Sequence, residues 1–422
     1  MLIPGQSLTL TIEKPAAGGR MIARHDGQVV LVGGAIPGER VRARVQRATR
    51  KVVYAETISV DEASADRRAW DGDIQCGGCL YGHIAYARQL DIKAAVIADA
   101  FGRIGRIVLP SPPSIAPSPE SGYRMRARLH VRGLRLGFFR EGTHELCEPR
   151  QTRQLLPATA DVVERVGALI RSLNLDAIRE IELAENADAS ARVLAIDSVL
   201  PIDQQRLEEI AAVDGLTGVV SAARTVGEAH VVDTIDIEAA KVQLRRHVLA
   251  FFQGNRFLLS NLAAHVVGEI ETGAHVIDLY AGGGLFSVAA AERRGADVVA
   301  VEGDRIAAAD LAANSSVRSG ITPVHQAVEQ FLNGTSSERR GAGSVHNVVI
   351  VDPPRTGMSQ EALGGVIRLG ASRIVYVSCD VATLARDARV LADAGYRIGG
   401  IAGFDLFPNT PHVETVVTFN RA

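Results

Sequence analysis

The sequence has little cysteine, no long apolar run and no excess of one charge sign. Its four cysteines are too few for a disulfide framework in a chain of 422 residues. No apolar stretch approaches the ~20 residues that span a bilayer, and the N-terminus lacks the charged and apolar regions of a secretory signal peptide. We therefore expect a cytoplasmic protein, under reducing conditions, with no membrane partner.

The formal net charge of −2 excludes an overall basic excess, but two segments carry local positive charge. Residues 1–60 hold nine Lys or Arg against four Asp or Glu, and residues 123–140 hold six arginines and no acid. Phosphate binding needs only local charge. The same charges would also suit solvated strand faces, and charge alone leaves both interpretations open.

The length and an ordinary apolar share of 47% predict two or three globular domains. Residues 1–60 predict a small β-barrel, because short runs with strand character are separated by glycine-rich and Pro-Gly turns. The predicted strands are Ser7–Ile12, Gln28–Val32 and Arg40–Val45. Arg40, Arg42 and Arg44 recur at period two and should share one face of a strand.

Residues 61–245 predict an α+β middle domain. It begins with a polar segment and Cys76-Gly-Gly-Cys79, followed by an Ala-rich, helix-periodic run over Ala85–Ile104. A helix within residues 82–107 is a candidate to pack on the C-terminal domain. The proline-rich segment Leu109–Gly122 predicts a linker with neither helix nor strand ladder. Further strands are predicted over Arg126–Val131, Gly218–Ser221 and Glu228–Val232, and a helix over Thr159–Leu173.

Residues 246–422 predict a doubly wound α/β domain, because short β-branched runs alternate with helical segments. The predicted strands are His275–Leu279, Val298–Val301, Val348–Val351 and Ile374–Val377. Ligands in such a domain bind at the carboxyl ends of the strands. The fold class is therefore multi-domain, with a β-barrel, an α+β domain and a Rossmann-like α/β domain.

A cofactor site is predicted where the first two of these strands end. Asp278 precedes a turn containing Gly282 and Gly284, and Glu302 ends the second strand about 20 residues later. Glycines let the backbone approach a ligand, and an acid at Glu302 suits the ribose hydroxyls of an adenosine group. This pair of acids is typical of methyltransferases. The alternative is a glycine turn that only packs a helix closely.

Asp352-Pro-Pro-Arg355 follows the third strand and suggests a second kind of chemistry. Enzymes that methylate nucleobase amines carry a similar Asp-Pro-Pro followed by an aromatic residue. Arg355 stands in place of that aromatic. Amine methylation is therefore the second interpretation.

Cys379 follows the fourth strand, where the chain leaves the sheet beside the cofactor crevice. A thiolate there suits pyrimidine methylation, because its addition to C6 makes C5 nucleophilic and a general base must later remove the C5 proton. Glu414 is the candidate base, and His412, expected on the same strand face, competes with it. Without that context, Glu414 would be expected to face water from an edge strand.

Together these motifs resemble the RNA 5-methyluridine (uracil-C5) methyltransferase family over nearly the whole chain. The matching segments are Phe251–Asn255 with its Gln-x-Asn, Asp278–Gly284, Glu302, Asp352, Ser378–Asp380 followed by Ala382–Arg386, and His412–Glu414. The resemblance implies that Cys379 attacks uracil C6 and that Glu414 takes the C5 proton. It also implies that S-adenosylmethionine is contacted by Gln253, Tyr280, Glu302 and Asp352, with Asp278, Gly282 and Gly284 lining the site.

The N-terminal barrel resembles the TRAM domain, an RNA-binding module that family members acting on 23S ribosomal RNA often carry. The resemblance therefore implies an RNA partner, ribosomal rather than transfer RNA. No obligate protein partner is inferred.

One departure from the family concerns a [4Fe–4S] cluster that many ribosomal members bind through a Cys-x5-Cys-Gly-Gly-Cys segment and a distant fourth cysteine. Trp70 stands in the first position and Thr152 aligns with the fourth, while Cys147 lies five residues earlier. We therefore expect that the cluster has been lost and that Cys76, Cys79 and Cys147 are its remnants. A three-cysteine site completed by another ligand is the alternative.

Three functional hypotheses follow. The first is uracil-C5 methylation, of 23S ribosomal RNA or alternatively of transfer RNA, and it alone uses both Cys379 and Glu414. The second is methylation of an RNA amine through Asp352-Pro-Pro, without a covalent step. The third is a non-catalytic RNA-binding assembly factor that keeps the cofactor fold.

Overall fold

The N-terminal residues form a closed five-stranded barrel in the computed structural model, which describes residues 2–238, 240–334 and 347–421. The strands are β1 (Ser7–Pro15), β2 (Met21–His25), β3 (Gln28–Gly33), β4 (Arg40–Ala48) and β5 (Val52–Glu62), joined in the order β1-β2-β3-β5-β4. Alternate apolar side chains fill the interior, so that Arg40, Arg42 and Arg44 are exposed, opposite Thr11, Thr9 and Ser7 of β1.

A long helix connects the barrel to the C-terminal sheet. This helix, α1 (Tyr86–Ala100), continues into a π-helical turn over Phe101–Gly105, close to the predicted span. Ile92 packs in the barrel core, whereas Ile97 packs in the core of the C-terminal sheet. The helix therefore contacts both domains.

The proline-rich segment does contain a strand, and the prediction of no ladder there is wrong. Strand β6 (Ile115–Ala116) pairs in parallel with residues 403 and 404 at the edge of the C-terminal sheet. Pro113 and Pro117 flank the pair, so no proline interrupts its hydrogen bonds.

The middle of the chain forms a seven-stranded sheet with two helices and a separate hairpin. Its elements are β7 (Arg126–Arg132), β8 (Arg135–Phe139), β9 (Leu146–Cys147), α2 (Pro157–Ser172), β10 (Ile178–Glu185), β11 (Arg192–Ser198), α3 (Gln204–Ala211), β12 (Gly218–Ser221) and β13 (Arg224–Gly227). The strand order is β13-β12-β11-β10-β7-β8-β9. The hairpin pairs β14 (His230–Ile237) with β15 (Ala240–His247).

The strand predicted over Glu228–Val232 is misplaced, because β13 ends before it and β14 begins within it. The domain boundaries at residues 60 and 245 remain predictions. Strand β5 ends two residues after the first boundary, and β15 ends two residues after the second.

The C-terminal region forms a largely parallel sheet covered by helices on both faces. Its elements are α4 (Leu259–Gly268), β16 (His275–Leu279), α5 (Leu285–Arg294), β17 (Asp297–Glu302), α6 (Arg305–Ser316), β18 (Ile321–His325), α7 (Val328–Gly334), β19 (Val348–Val351), α8 (Gln360–Leu369), β20 (Arg373–Ser378), α9 (Val381–Asp393), β21 (Tyr396–Phe404) and β22 (Glu414–Arg421). With β6 included, the strand order is β18-β17-β16-β19-β20-β22-β21-β6.

Two features of this sheet matter for the site. Strand β22 runs antiparallel between β20 and β21, so it is internal and not an edge strand. Strand β18 was not predicted, because Pro323 and partly exposed side chains hide its pattern. Within the three described ranges, no helix is both long and apolar enough to cross a membrane.

Candidate active site

The predicted site residues meet at one edge of the C-terminal sheet. Asp278 lies near the end of β16, Glu302 ends β17, Asp352 follows β19 and Cys379 follows β20. These four strands are parallel neighbours, so their carboxyl ends share one edge. The crevice there is the expected ligand position in this fold.

The turn between β16 and α5 depends on left-handed backbone conformations. Tyr280, Gly282 and Gly284 have φ values of 62°, 56° and 93°. A Cβ at Gly284 would lie 2.9 Å from Leu311 Cδ1, whereas a Cβ at Gly282 would meet nothing within 4 Å. Glycine at 284 therefore satisfies both the backbone conformation and the close packing of the turn on α6.

Glu302 ties the second strand to this turn. Gly282 N donates to Glu302 Oε2 at 2.7 Å, and Asp304 N donates to Glu302 Oε1 at 2.7 Å. These bonds fix the carboxylate beside the glycine turn. Its remaining lone pairs are available to a ligand.

Asp278 is a fully buried carboxyl group that the protein satisfies only in part. Ser287 Oγ donates to Asp278 Oδ2 at 2.5 Å, but no described residue donates to Oδ1. Burial, with a further contribution from the charge of Glu302, raises the pKa of Asp278 to about 7. A buried acceptor without a partner suggests that a ligand supplies the donor.

Asp352 and Gln253 form the other side of the crevice. Gln253 Nε2 donates to Asp352 Oδ2 at 3.1 Å. Removal from water and the neighbouring charge of Asp278 raise the pKa of Asp352 to about 7, although the Gln253 hydrogen bond opposes this. Three carboxyl groups around one crevice fit a cationic ligand that carries hydroxyl and amino donors, as S-adenosylmethionine does.

Asn255, two residues after Gln253, makes structural hydrogen bonds. Its Nδ2 donates to Ser118 Oγ at 2.9 Å and to Leu406 O at 3.1 Å, while its Oδ1 accepts from the amides of Phe257 and Leu258. In the Gln-x-Asn segment, the Gln253 side chain therefore lies at the crevice, whereas the buried Asn255 side chain links two loops by hydrogen bonds.

Cys379 is the thiol at this edge, and it is partly exposed. It lies between the end of β20 and the N-cap of α9, where Asp380 accepts bonds from Ala382 N and Thr383 N. Burial and the charges of Glu414 and Asp352 raise the pKa of Cys379 to about 12, while Arg355 acts in the opposite direction. Among these neighbours, Arg355 is the one that favours the thiolate.

Glu414 lies next to Cys379 because of the strand register. Ser378 pairs with Thr415 in the antiparallel ladder, so the following step brings Cys379 and Glu414 together. Glu414 is 2% exposed, and no described residue bonds its Oε1. The expectation that it faces water is wrong, because β22 is internal. Burial and the charge of Asp352 raise its pKa well above the usual value.

His412 does not share a strand face with Glu414, because β22 begins at residue 414. Burial and the positive charges of Arg355, Lys93 and Arg124 lower the pKa of His412 to about 4. A neutral imidazole with so low a pKa is a weak proton acceptor.

Arg355 is a site residue whose electrostatic effect the sequence did not reveal. In the sequence it was noted only as standing in place of an aromatic residue. In the structure its guanidinium opposes the upward pKa shifts of both Cys379 and Glu414. The signal available was its position, directly after Pro353-Pro354 at the end of β19.

The three remaining cysteines do not fit a four-cysteine cluster. Cys76 and Cys147 form a disulfide with a Cα–Cα distance of 5.9 Å, which the sequence did not predict. Cys79 is buried, and its Sγ donates to Asp73 O at 3.0 Å. Within the described ranges, no group of three or more His, Cys, Asp or Glu residues could hold a metal ion.

Trp70 and Thr152 stand where the family has the first and fourth cysteines of its cluster, and neither side chain is a cluster ligand. The Trp70 ring packs beside Gly72 and Gly82, so that a Cβ on either glycine would lie 2.5–2.6 Å from it. The Thr152 hydroxyl is buried and donates to Pro149 O at 2.7 Å. The indole therefore fills space beside the cysteine loop.

The fold is that of an S-adenosylmethionine-dependent methyltransferase, and comparisons with known proteins give the family. Residues 219–422 match the model of the tRNA (Uracil-5-)-methyltransferase family, and residues 3–58 match the TRAM domain. Relatives at least 30% identical also match nearly the whole chain, so this chain belongs to the RNA uracil-C5 methyltransferase family.

Similar curated proteins span the whole chain. The 23S rRNA (uracil(1939)-C(5))-methyltransferase RlmD of Hahella chejuensis is 30% identical over 100% of this chain and 98% of its own. The same enzyme of Pseudomonas putida is 31% identical over 98% and 94%. An uncharacterized RNA methyltransferase of Thermotoga maritima is 30% identical over 96% and 97%.

A solved structure supports the architecture. The tRNA (uracil-54, C5)-methyltransferase of Pyrococcus abyssi, in complex with S-adenosyl-L-homocysteine, superposes with a TM-score of 0.77 at 22% identity, covering 97% of this chain and 99% of that one. At this identity the likeness shows the shared fold.

Proposed function

We propose that this protein methylates C5 of a uridine in 23S ribosomal RNA. The observation that carries the proposal is the placement of a partly exposed thiol, Cys379, beside a buried carboxyl group, Glu414, at the ligand-binding edge of the sheet. The ribosomal target is supported by the full-length similarity to enzymes of that name and by the TRAM domain.

The reaction uses the two groups in turn. Cys379, deprotonated beside Arg355, adds to C6 of the uracil, and the C5–C6 electron pair makes C5 nucleophilic. S-adenosylmethionine would supply the methyl group, since its S–CH3 bond breaks as the C5–CH3 bond forms and S-adenosylhomocysteine is left. Glu414 then takes the C5 proton, the C5–C6 double bond re-forms and the C6–S bond breaks, which releases the thiolate.

The donor would be held by Gln253, Tyr280, Glu302 and Asp352, with Asp278, Gly282 and Gly284 lining the crevice. The unpartnered Oδ1 of Asp278 and the carboxyl groups of Glu302 and Asp352 supply acceptors for a donor molecule that carries positive charge. The hydrogen bond between Gln253 and Asp352 fixes the orientation of both side chains.

RNA would be bound through local positive charge. The exposed arginines of β4 form one face of the barrel, and further arginines lie on β7 and β8. Phosphate contacts of this kind position the RNA without reading its sequence. The target uridine must leave its stack before Cys379 can reach C6.

The direct test uses RNA that contains 5-fluorouridine. Fluorine at C5 cannot leave as a proton does, so the covalent intermediate should persist on a denaturing gel in the presence of S-adenosylmethionine. The band should vanish with Cys379→Ala. Methyl transfer that survives in this variant would instead support amine methylation, and no transfer to any RNA pool would support a non-catalytic role.

We also propose that the protein works without an iron–sulfur cluster. Trp70 and Thr152 occupy two of the family's four ligand positions, and the indole packs beside the cysteine loop. Anaerobic purification followed by iron and sulfide analysis should find far less than one cluster per chain. Stoichiometric iron would overturn this proposal and favour a three-cysteine site with another ligand.

A further inference from the structure

The loop that precedes Glu414, residues 405–413, is held at four consecutive carbonyl groups. We call it the base loop. The carbonyl oxygens of residues 406 to 409 accept bonds from four separate donors: Asn255 Nδ2 at 3.1 Å, Lys93 Nζ at 3.1 Å, the Tyr123 hydroxyl at 3.4 Å and Tyr81 N at 2.8 Å. A loop without helix or strand is thereby fixed along its length.

Lys93 is the most unusual of these donors, because it is a fully buried cation. It lies on α1, and its ammonium group donates to Asp405 Oδ1 as well as to Phe407 O. Lys93 is 1% exposed and Asp405 is 0% exposed. The ion pair therefore joins α1 to the first residue of the base loop, 312 positions away in the chain.

Gln89, one helical turn earlier on α1, makes a reciprocal pair with the middle of the base loop. Its Nε2 donates to Asn409 Oδ1 at 2.9 Å, and its Oε1 accepts from Asn409 N at 2.9 Å. Asn409 has a φ of 62°, a left-handed conformation that asparagine tolerates. Two side chains on one face of α1 therefore fix two points of the loop.

We propose that Lys93 and Gln89 are positioning residues for the general base, acting through the base loop on Glu414. The inference rests on the proposed function, since it assumes that Glu414 removes the C5 proton. Glu414 has no described partner at Oε1, so its own hydrogen bonds give little restraint. The position of the Glu414 carboxyl group must therefore be fixed by the backbone that leads into β22.

The test is a trapped intermediate on ordinary uridine RNA. Lys93→Met removes the cation but keeps an unbranched side chain. Proton removal should slow while Cys379 addition and methyl transfer continue. A denaturing gel should then show a Cys379-linked RNA band that is scarce in the wild type, and turnover should fall by about tenfold to a hundredfold. A fold that is merely weakened would lose both band and turnover.

Arg246→Met is the matched control. Arg246 pairs with Asp233 at 2.6 Å, with side chains 1% and 0% exposed, as in the Lys93 pair. Among the described residues, no hydrogen bond or ion pair joins either residue to the base loop. This variant should show no trapped band. A band as strong as that of Lys93→Met would show that loss of any buried ion pair has this effect, and would overturn the proposal.

Asn409→Gly provides a second variant if Lys93→Met does not fold. Glycine adopts the φ of 62° without strain and removes the side-chain bonds to Gln89 and Arg68. It should also accumulate the band. Wild-type turnover and no band in both variants would overturn the positioning role. Failure of the wild-type protein to form an adduct with 5-fluorouridine RNA would instead contradict the proposed function.

Discussion

At the scale of single residues, the site is defined by carboxyl groups that are costly to keep ionised. Asp278, Asp352 and Glu414 have raised pKa values, mainly because they are buried. Such groups destabilise the free protein at high pH, and a bound cation would relieve that cost. Their placement therefore indicates a ligand site better than a site for structural ion pairs.

Asp278→Asn should stabilise the free protein at high pH and weaken its binding of S-adenosylmethionine. The pKa of Asp278 rises from an ordinary 3.8 to about 7, so between these values the folded state keeps a proton that the unfolded chain has lost. Stability therefore falls as pH rises through this window. At pH 8.5 the free energy of unfolding of the variant should exceed that of the wild type by at least about 1 kcal/mol. This difference should be smaller at pH 5.

Thermal unfolding at both pH values, with and without S-adenosylmethionine, checks this prediction. The wild type should gain more stability from the ligand than the variant does. A variant that is less stable than the wild type at pH 8.5 would contradict the account of Asp278 as an unsatisfied acid.

Glu414→Gln should form the covalent adduct on ordinary uridine RNA and fail to release it, since an amide cannot take the C5 proton. Because the pKa of Glu414 is raised, its carboxyl group is protonated at low pH, and the wild-type release rate should rise with pH. Pre-formed adduct can be followed on denaturing gels between pH 6 and pH 9. Normal turnover by the variant would exclude Glu414 as the base.

At the scale of elements, the turn between β16 and α5 depends on one glycine more than on its neighbour. Gly284→Ala combines a φ of 93° with a contact 2.9 Å from Leu311, whereas Gly282→Ala meets nothing within 4 Å at a φ of 56°. The alanine at 284 should therefore lower stability and S-adenosylmethionine affinity more. Calorimetry of both variants measures this, and equal effects would contradict it.

The strands that carry the site were predictable because each is a short apolar run. The predicted His275–Leu279 and Val348–Val351 coincide with β16 and β19. Strand β18 was not predicted, because an edge position tolerates Pro323 and polar residues. Strand β6 was not predicted either, because its ladder is only two residues long. Central strands can be recognised from their apolar composition, whereas these edge strands form because a neighbouring strand is available for pairing.

At the scale of the whole molecule, the barrel and the catalytic sheet share α1, whose residues pack in both cores. The residues proposed for the chemistry, such as Cys379, Glu414 and Glu302, lie in short motifs that the sequence displays. Lys93 and Gln89 were not, because their partners lie more than 300 positions away. Buried polar pairs between distant segments leave no local pattern in a sequence. The pairing of Cys76 with Cys147 was missed for the same reason.

Replacing Arg40, Arg42 and Arg44 together by alanine should weaken RNA binding without altering the chemical step. These side chains are exposed on β4, and they lie in the barrel rather than in the sheet that carries Cys379 and Glu414. KM for RNA should rise, kcat at saturating RNA should hold, and the salt dependence of binding should lessen by about one unit of slope per lost phosphate contact.

Arg206→Ala, an exposed arginine on α3, is the control and should leave KM unchanged. A fall in kcat with an unchanged KM in the triple variant would contradict a binding role for the barrel face.

Identification of the methylated nucleoside distinguishes uracil-C5 methylation from amine methylation. Unmodified 23S ribosomal RNA and transfer RNA are incubated separately with the protein and S-adenosylmethionine, digested to nucleosides and analysed by mass spectrometry. We expect 5-methyluridine in the ribosomal RNA, and none when the protein carries Cys379→Ala. Methylation on a nucleobase amine, or 5-methyluridine that persists in the Cys379→Ala variant, would contradict it.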